Sequence, residues 1–203
     1  MLEASQIECV RGSRRLFRDL SFRLEAHQAL RVRGENGSGK TSLLRIVAGL
    51  SPAESGSVSW NEGNIRALGE DYLRDLLFLG HSNGLKDDLS PVENLRYALV
   101  LAGVGADEPA LRAALAEQRL AAIADLPVKL LSQGQKRRVA LARLALCRHR
   151  LWLLDEPLAA LDAGAAESLA RLVDAHLAQG GICVLTSHQP VALRARTRSL
   201  ALS

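Results

Sequence analysis

Aromatic side chains are nearly missing from this chain: Phe, Tyr and Trp together make up 3% of its 203 residues. Proteins that grip single-stranded nucleic acid stack bases on aromatic rings, so a stacking platform is excluded and no nucleic-acid partner is expected. Cysteine is also sparse. Cys9, Cys147 and Cys183 stand far apart and form no C-x-x-C pair. That argues against a disulfide framework or a zinc site and fits a reducing compartment. Cys147 and Cys183 lie among apolar neighbours and read as small core fillers. No apolar run approaches the roughly 18 residues that a membrane span needs, and the longest, Ala98 to Ala106, is broken by Gly103 and Gly105. Charges in the first dozen residues leave no signal-peptide core, so the chain is expected in the cytoplasm. Neither sign of charge dominates: 26 basic against 22 acidic residues give a net +4, a mild lean toward anionic partners. There is no internal repeat and no low-complexity segment.

The 48% apolar fraction is enough for one sizeable core, with or without a subdomain. Residues 2–34 alternate in the manner of strands, with Leu20, Phe22 and Leu24 on one face and Ser21, Arg23 and Glu25 on the other. Short strands are expected at 56–61, 76–79, 151–154 and 182–185. The pattern is helical over 91–148, opened by Ser90-Pro91, and again over 165–178. The stretch from Gly103 to Pro109 reads as the softest loop. This order describes an α/β nucleotide-binding core interrupted by a helical subdomain.

One run of residues fixes the ligand class. Gly34-Glu35-Asn36-Gly37-Ser38-Gly39-Lys40-Thr41 follows a short apolar strand and opens an amphipathic helix through Ser42, Leu43 and Leu44. A strand, a glycine-rich turn and a helix start make a nest of backbone N–H groups on which phosphate sits. Lys40 can reach the β- and γ-phosphates, and the Thr41 hydroxyl can ligate Mg²⁺.

Two further constellations narrow the chemistry. Leu151-Trp152-Leu153-Leu154 reads as a strand buried on both faces, and it presents Asp155 and Glu156 at its end. Asp155 is placed to hold Mg²⁺ and Glu156 to polarise an attacking water as general base, so ATP hydrolysis is favoured over phosphorylation of a small molecule. Leu131-Ser132-Gln133-Gly134-Gln135 precedes the basic helix start Lys136-Arg137-Arg138. It is either a second anion-binding helix start or simply a serine N-cap. As a second anion site in another subdomain, with no nucleotide of its own, it points to use across a dimer interface.

With these residues in place the chain resembles the ATP-binding-cassette ATPases over nearly its full length. Gly34 to Thr41 match the Walker A loop, Leu131 to Gln135 the signature motif and Leu151 to Glu156 the Walker B strand. Ala159-Ala160-Leu161-Asp162 resembles the D-loop, and Ser187-His188 the switch histidine. The resemblance implies a P-loop NTPase (RecA-like) core at 1–81 and 149–203, with an N-terminal antiparallel β subdomain. It also implies an inserted helical subdomain at 82–148. Two such chains would face head to tail around two ATP molecules, with Ser132, Gln133, Gly134 and Gln135 of one touching the γ-phosphate held by Lys40 of the other. Asp162 would line the same interface, and His188 would meet the γ-phosphate and the attacking water. Three positions depart from the family pattern: His81 replaces the Gln-loop glutamine, Arg11 falls where an aromatic usually stacks on adenine, and Gln133 replaces the usual second glycine of the signature. Gly80-His81, Gly84-Leu85-Lys86 and Leu89 to Tyr97 are similar to the ATPase of the cytochrome c maturation (haem exporter) transporter, the CcmA family. That implies integral membrane permease partners, a peripheral place on the cytoplasmic side of a bacterial inner membrane, and ATP with Mg²⁺ as cofactors. The region from His81 to about Lys86 would receive a coupling helix. The chain has no C-x-x-C-H and no Cys-Pro, so direct haem ligation is not expected.

Other classes fit less well. A soluble cassette ATPase acting on DNA or ribosomes would be expected to carry a coiled-coil insert, a tandem cassette or a basic tail. A small-molecule kinase has no use for Leu131–Gln135 or His188, and a GTPase lacks its N-K-x-D segment here.

Overall fold

The computed structural model describes residues 1–105, 107–189 and 191–202. Ala106, the end of the longest apolar run, lies outside the described residues. The elements run β1 (Leu2–Arg11), β2 (Arg14–Leu24), β3 (Ala29–Arg33), α1 (Lys40–Val47), β4 (Ser55–Trp60) and β5 (Gly63–Asn64). Then come α2 (Ile65–Leu68), α3 (Glu70–Asp75), β6 (Leu76–Leu79), α4 (Pro91–Leu101) and α5 (Glu108–Glu117). After two 3-10 turns the chain continues as α6 (Gln133–Leu146), β7 (Leu151–Leu154), α7 (Ala163–Ala178), β8 (Ile182–Thr186) and β9 (Thr197–Ala201).

Two compact units share these elements: Met1–Gly80, His149–Glu156 and Val173–Ser203 form one, and His81–Arg148 with Pro157–Leu172 the other. Residues 157–172 thus group with the helical unit, whereas the sequence reading assigns all of 149–203 to the core.

The first unit carries both sheets. An antiparallel sheet of order β2-β1-β4-β5 and a parallel sheet of order β6-β7-β8-β3-β9 enclose a core of Leu2, Ile7, Leu24, Val32, Leu43, Leu44, Leu153 and Val184, among others. β7 and β8 are buried at every position, which is why they read as continuous apolar runs. β3 pairs in parallel with both β8 and β9, so the strand leading into the phosphate loop is interior to its sheet. Tyr72 of α3 is buried and its hydroxyl donates to the Val47 carbonyl at 2.6 Å, tying α3 to the end of α1. Burial pushes that phenol well above its ordinary range.

The second unit packs α4, α5 and α6 around Leu95, Leu99, Leu111, Leu115, Val139 and their neighbours. Each helix opens on a side-chain cap. Ser90 and Glu93 make a capping box on α4, Asp107 caps α5, and Ser132 with Gln135 make a capping box on α6. The supposed soft loop is shorter than the sequence implied. Pro109 lies in the first turn of α5, where a missing N–H costs nothing, and Asp107 starts the helix. Asn94 is buried in α4 and organises the preceding loop. Its Oδ1 accepts from the Lys86 N–H at 2.8 Å, and its amide donates to the carbonyls of Lys86, Leu89 and Ser90 at 3.0, 3.1 and 3.0 Å.

Candidate functional site

Backbone geometry builds the phosphate loop. Gly39 holds φ +100° at the N-cap of α1, a conformation closed to side-chain-bearing residues, and this turns the free N–H groups of the helix start toward one point. Gly34 makes room at the other end: a Cβ there would lie 2.4 Å from Ser38 Oγ and 2.6 Å from the Leu202 carbonyl. Glu35, Asn36 and Gly37 form the exposed crest between them, and Ser42 lies in the first turn of α1. Lys40 is buried, and its ammonium donates to the carbonyls of Gly34 at 2.9 Å and Glu35 at 3.0 Å. The cation is therefore held over the loop by the loop's own carbonyls. Ser38 Oγ is buried with no hydrogen-bond partner among the described residues. An orphaned hydroxyl costs about 1–3 kcal/mol, and a phosphate oxygen would relieve it.

The acids come from the end of β7. Asp155 is buried; its Oδ2 accepts from the Thr41 hydroxyl at 2.8 Å and its Oδ1 from the Thr186 hydroxyl at 2.8 Å. Consecutive residues of an extended strand point to opposite faces, yet Glu156 also reaches the phosphate-loop side. It does so through a left-handed backbone, φ +46°, whose N–H donates to Thr186 Oγ1 at 2.7 Å. Its Oε1 lies 3.9 Å from Lys40 Nζ and 3.3 Å from His188 Nε2. His188 follows β8 and is half exposed. The turn after it is closed by Ser187, whose hydroxyl donates to the Gln189 carbonyl at 2.6 Å and accepts from the Gln189 N–H at 3.1 Å.

The structure thus brings Lys40, Thr41, Asp155, Glu156 and His188 together in the first unit. A carboxylate set between an ammonium and an imidazole can accept a proton from a water, while the loop and Lys40 hold anionic oxygens. Among the described residues no three His, Cys, Asp or Glu side chains converge as a metal cage. One carboxylate and one hydroxyl do converge, a hard-oxygen set that suits Mg²⁺, which completes its shell with waters and phosphate oxygens.

The remaining expected positions have contacts of their own. Arg11 ends β1, is exposed, and donates to Ser51 Oγ at 3.2 Å. His81 is the exposed first residue of the second unit. Ser132 and Gln135 are engaged with each other: the Ser132 N–H donates to Gln135 Oε1 at 2.8 Å, and Ser132 Oγ accepts from the Gln135 N–H at 3.3 Å. Gln133 and Gly134 form the first turn of α6 beside them. The serine is therefore a helix cap, whatever else it does. Asp162 likewise accepts from the Ala165 N–H at 2.8 Å at the start of α7 and pairs with Arg138. That backbone bond and the nearby guanidinium groups of Arg138 and Arg119 hold its carboxyl below the usual range. Sequence reading passed over Thr186. Its only signal is a hydroxyl ending an otherwise apolar strand, two residues before His188.

Comparisons with known proteins bear on the family and the fold. A family model described as "ABC transporter" matches residues 17–159. The chain is 49% identical, over 97% of both lengths, to the cytochrome c biogenesis ATP-binding export protein CcmA of Dechloromonas aromatica. Among solved structures it resembles a putative ABC transporter ATP-binding protein from Pyrococcus furiosus, with TM-score 0.86, 22% identity and coverage of 99% and 96% of the two chains. It also resembles an ATP-binding cassette solved as a dimer in a post-hydrolysis state with ADP and Pi, with TM-score 0.80, 24% identity and coverage of 93% and 88%.

Proposed function

The chain belongs to the ABC transporter family of ATP-binding cassettes, and from that premise we propose that it hydrolyses ATP to drive a membrane complex for c-type cytochrome biogenesis. One observation carries the hydrolytic reading: Glu156 Oε1 stands within 3.9 Å of the phosphate-loop lysine and 3.3 Å of His188. In this reading the loop from Gly34 to Thr41 binds the triphosphate, with Lys40 donating to its outer oxygens. Glu156 takes the proton of the water that attacks the γ-phosphorus, and His188 orients that water and the terminal phosphoryl group. Thr41 and Asp155 are the residues that would hold Mg²⁺, which spreads the phosphate charge when bound. Nothing covalent is asked of the protein, so positioning and electrostatics do the catalysis.

The dimeric cassette with ADP and Pi supports a pairing of two copies, with the Ser132–Gln135 helix start of one addressing the nucleotide of the other. The long identity with a cytochrome c biogenesis export protein supports the cellular role, at the cytoplasmic face of an inner membrane. Among the described residues no helix is long and apolar enough to cross a membrane, so permease partners would supply the spans. Exposed Tyr97, Val100 and Leu101 on α4 offer an apolar face that supports contact with another protein.

Complementation tests the whole reading. In a strain lacking this chain, c-type cytochromes are expected to lack covalent haem. The wild-type chain should restore haem staining, and Glu156→Gln, which keeps ATP binding, should not. Normal staining in the null strain removes the biogenesis role, and rescue by Glu156→Gln removes the need for hydrolysis at that carboxylate.

A further inference from the structure

Resting on the reading of Asp155 and Glu156 as the hydrolytic acids, we propose that Thr186 is a positioning residue that locks the two to each other through one hydroxyl. Thr186 is fully buried in a strand whose other residues are Ile182, Cys183, Val184 and Leu185, all buried. A hydroxyl in such a strand is destabilising unless its bonds are made, and valine would fill the same volume without that cost. Here both of its roles are used on the same pair. It donates to Asp155 Oδ1 at 2.8 Å and accepts from the Glu156 N–H at 2.7 Å.

The topology explains why the joint sits there. β7 and β8 run parallel with Leu154 opposite Leu185, so Thr186 comes level with Asp155 one step beyond the last paired residues. The Asp155 N–H goes to the Leu79 carbonyl of β6, but Glu156 has left extended geometry, and a side chain from β8 takes its N–H instead. A left-handed backbone at a non-glycine residue is strained, so the turn needs an anchor. Asp155 meanwhile has a threonine hydroxyl on each carboxylate oxygen, Thr41 from α1 and Thr186 from β8. The Thr186 oxygen is thus the one atom bonded to both acids, and His188 follows two residues later on the same strand end. Without the hydroxyl the carboxylate keeps Thr41 on Oδ2 but loses its contact on Oδ1, and the Glu156 N–H loses the bond to β8.

Thr186→Val and Thr186→Ser separate hydroxyl from shape. For Val, kcat is expected to fall by about tenfold or more, the size of one lost charge-assisted hydrogen bond. Binding of a fluorescent ATP analogue in EDTA should stay at the wild-type level, while added Mg²⁺ should tighten that binding less than in wild type. Ser, which keeps the hydroxyl and drops the methyl, should recover most of kcat. Wild-type turnover in Val, turnover in Ser as poor as in Val, or loss of metal-free binding in step with kcat would each overturn the proposal. If Val does not fold, Thr186→Cys against Thr186→Ser at matched thermal midpoints decides: the weaker thiol donor should be slower, and equal rates overturn the role. Glu156→Gln measured alongside keeps the two readings apart, since wild-type turnover there removes the base assignment whatever Thr186 does.

Discussion

His176 shows how a single side chain can set a pH response away from the nucleotide. Its ring stacks flat on Trp152, 3.9 Å between centroids and 5° between planes, and its Nε2–H donates to the Ile182 carbonyl at 3.2 Å. Burial pushes its pKa below the ordinary 6.5, with the carbonyl bond pulling weakly the other way. The unfolded chain therefore binds this proton at a higher pH than the folded one does. Stability from the neutral ring is whole above about 6.5, falls as pH drops through that value, and goes on falling down to the folded pKa. The thermal midpoint is expected to decline between pH 7.5 and 5.5, and His176→Phe, which keeps a ring against Trp152, should flatten that decline. An unchanged slope in the variant would assign the effect to other groups.

At the scale of elements, the start of α6 is a cap and is proposed to face a phosphate as well, and one substitution separates the two. Ser132→Asp keeps an oxygen acceptor at the N-cap, a position where Asp and Ser serve about equally, so the thermal midpoint should hold. It also puts a carboxylate where the neighbouring chain's phosphate is proposed to sit, so turnover should fall on the order of 100-fold. A midpoint and a rate that both stay at wild type would leave Ser132 a cap and nothing more. The same element shows what could be read without coordinates. The helix starts at Gly34–Thr41 and Ser132–Gln135 and the strand end at Asp155–Glu156 are legible because each lies in contiguous residues joined to a change of hydrophobic period. β9 is not: Thr197, Arg198 and Ser199 are exposed on an edge strand, so no burial pattern marks them. α2 and α3 are four and six residues long, too short for a period to show. Thr186 was missed because its meaning depends on partners thirty-odd residues away along the chain.

For the whole molecule, the proposed pairing makes ATP a ligand of the dimer more than of the monomer. A ligand shifts an equilibrium only by its difference in affinity for the two states. ATP that gains contacts from a second copy must therefore favour association. The Glu156→Gln chain, unable to spend its nucleotide, should sediment at twice the monomer mass with ATP and as monomer with ADP. Monomer in both would remove the shared site while leaving nucleotide binding intact.

The backbone contact between Leu202, just past β9, and the start of the phosphate loop has a practical side. Leu202 donates to the Arg33 carbonyl at 2.8 Å, and its own carbonyl fills the space beside Gly34. Leu202 therefore braces the glycine at the start of the phosphate loop from the far side, and a change that moves its backbone would free that space. Kinetic comparisons among these variants belong on protein in which that brace is left intact.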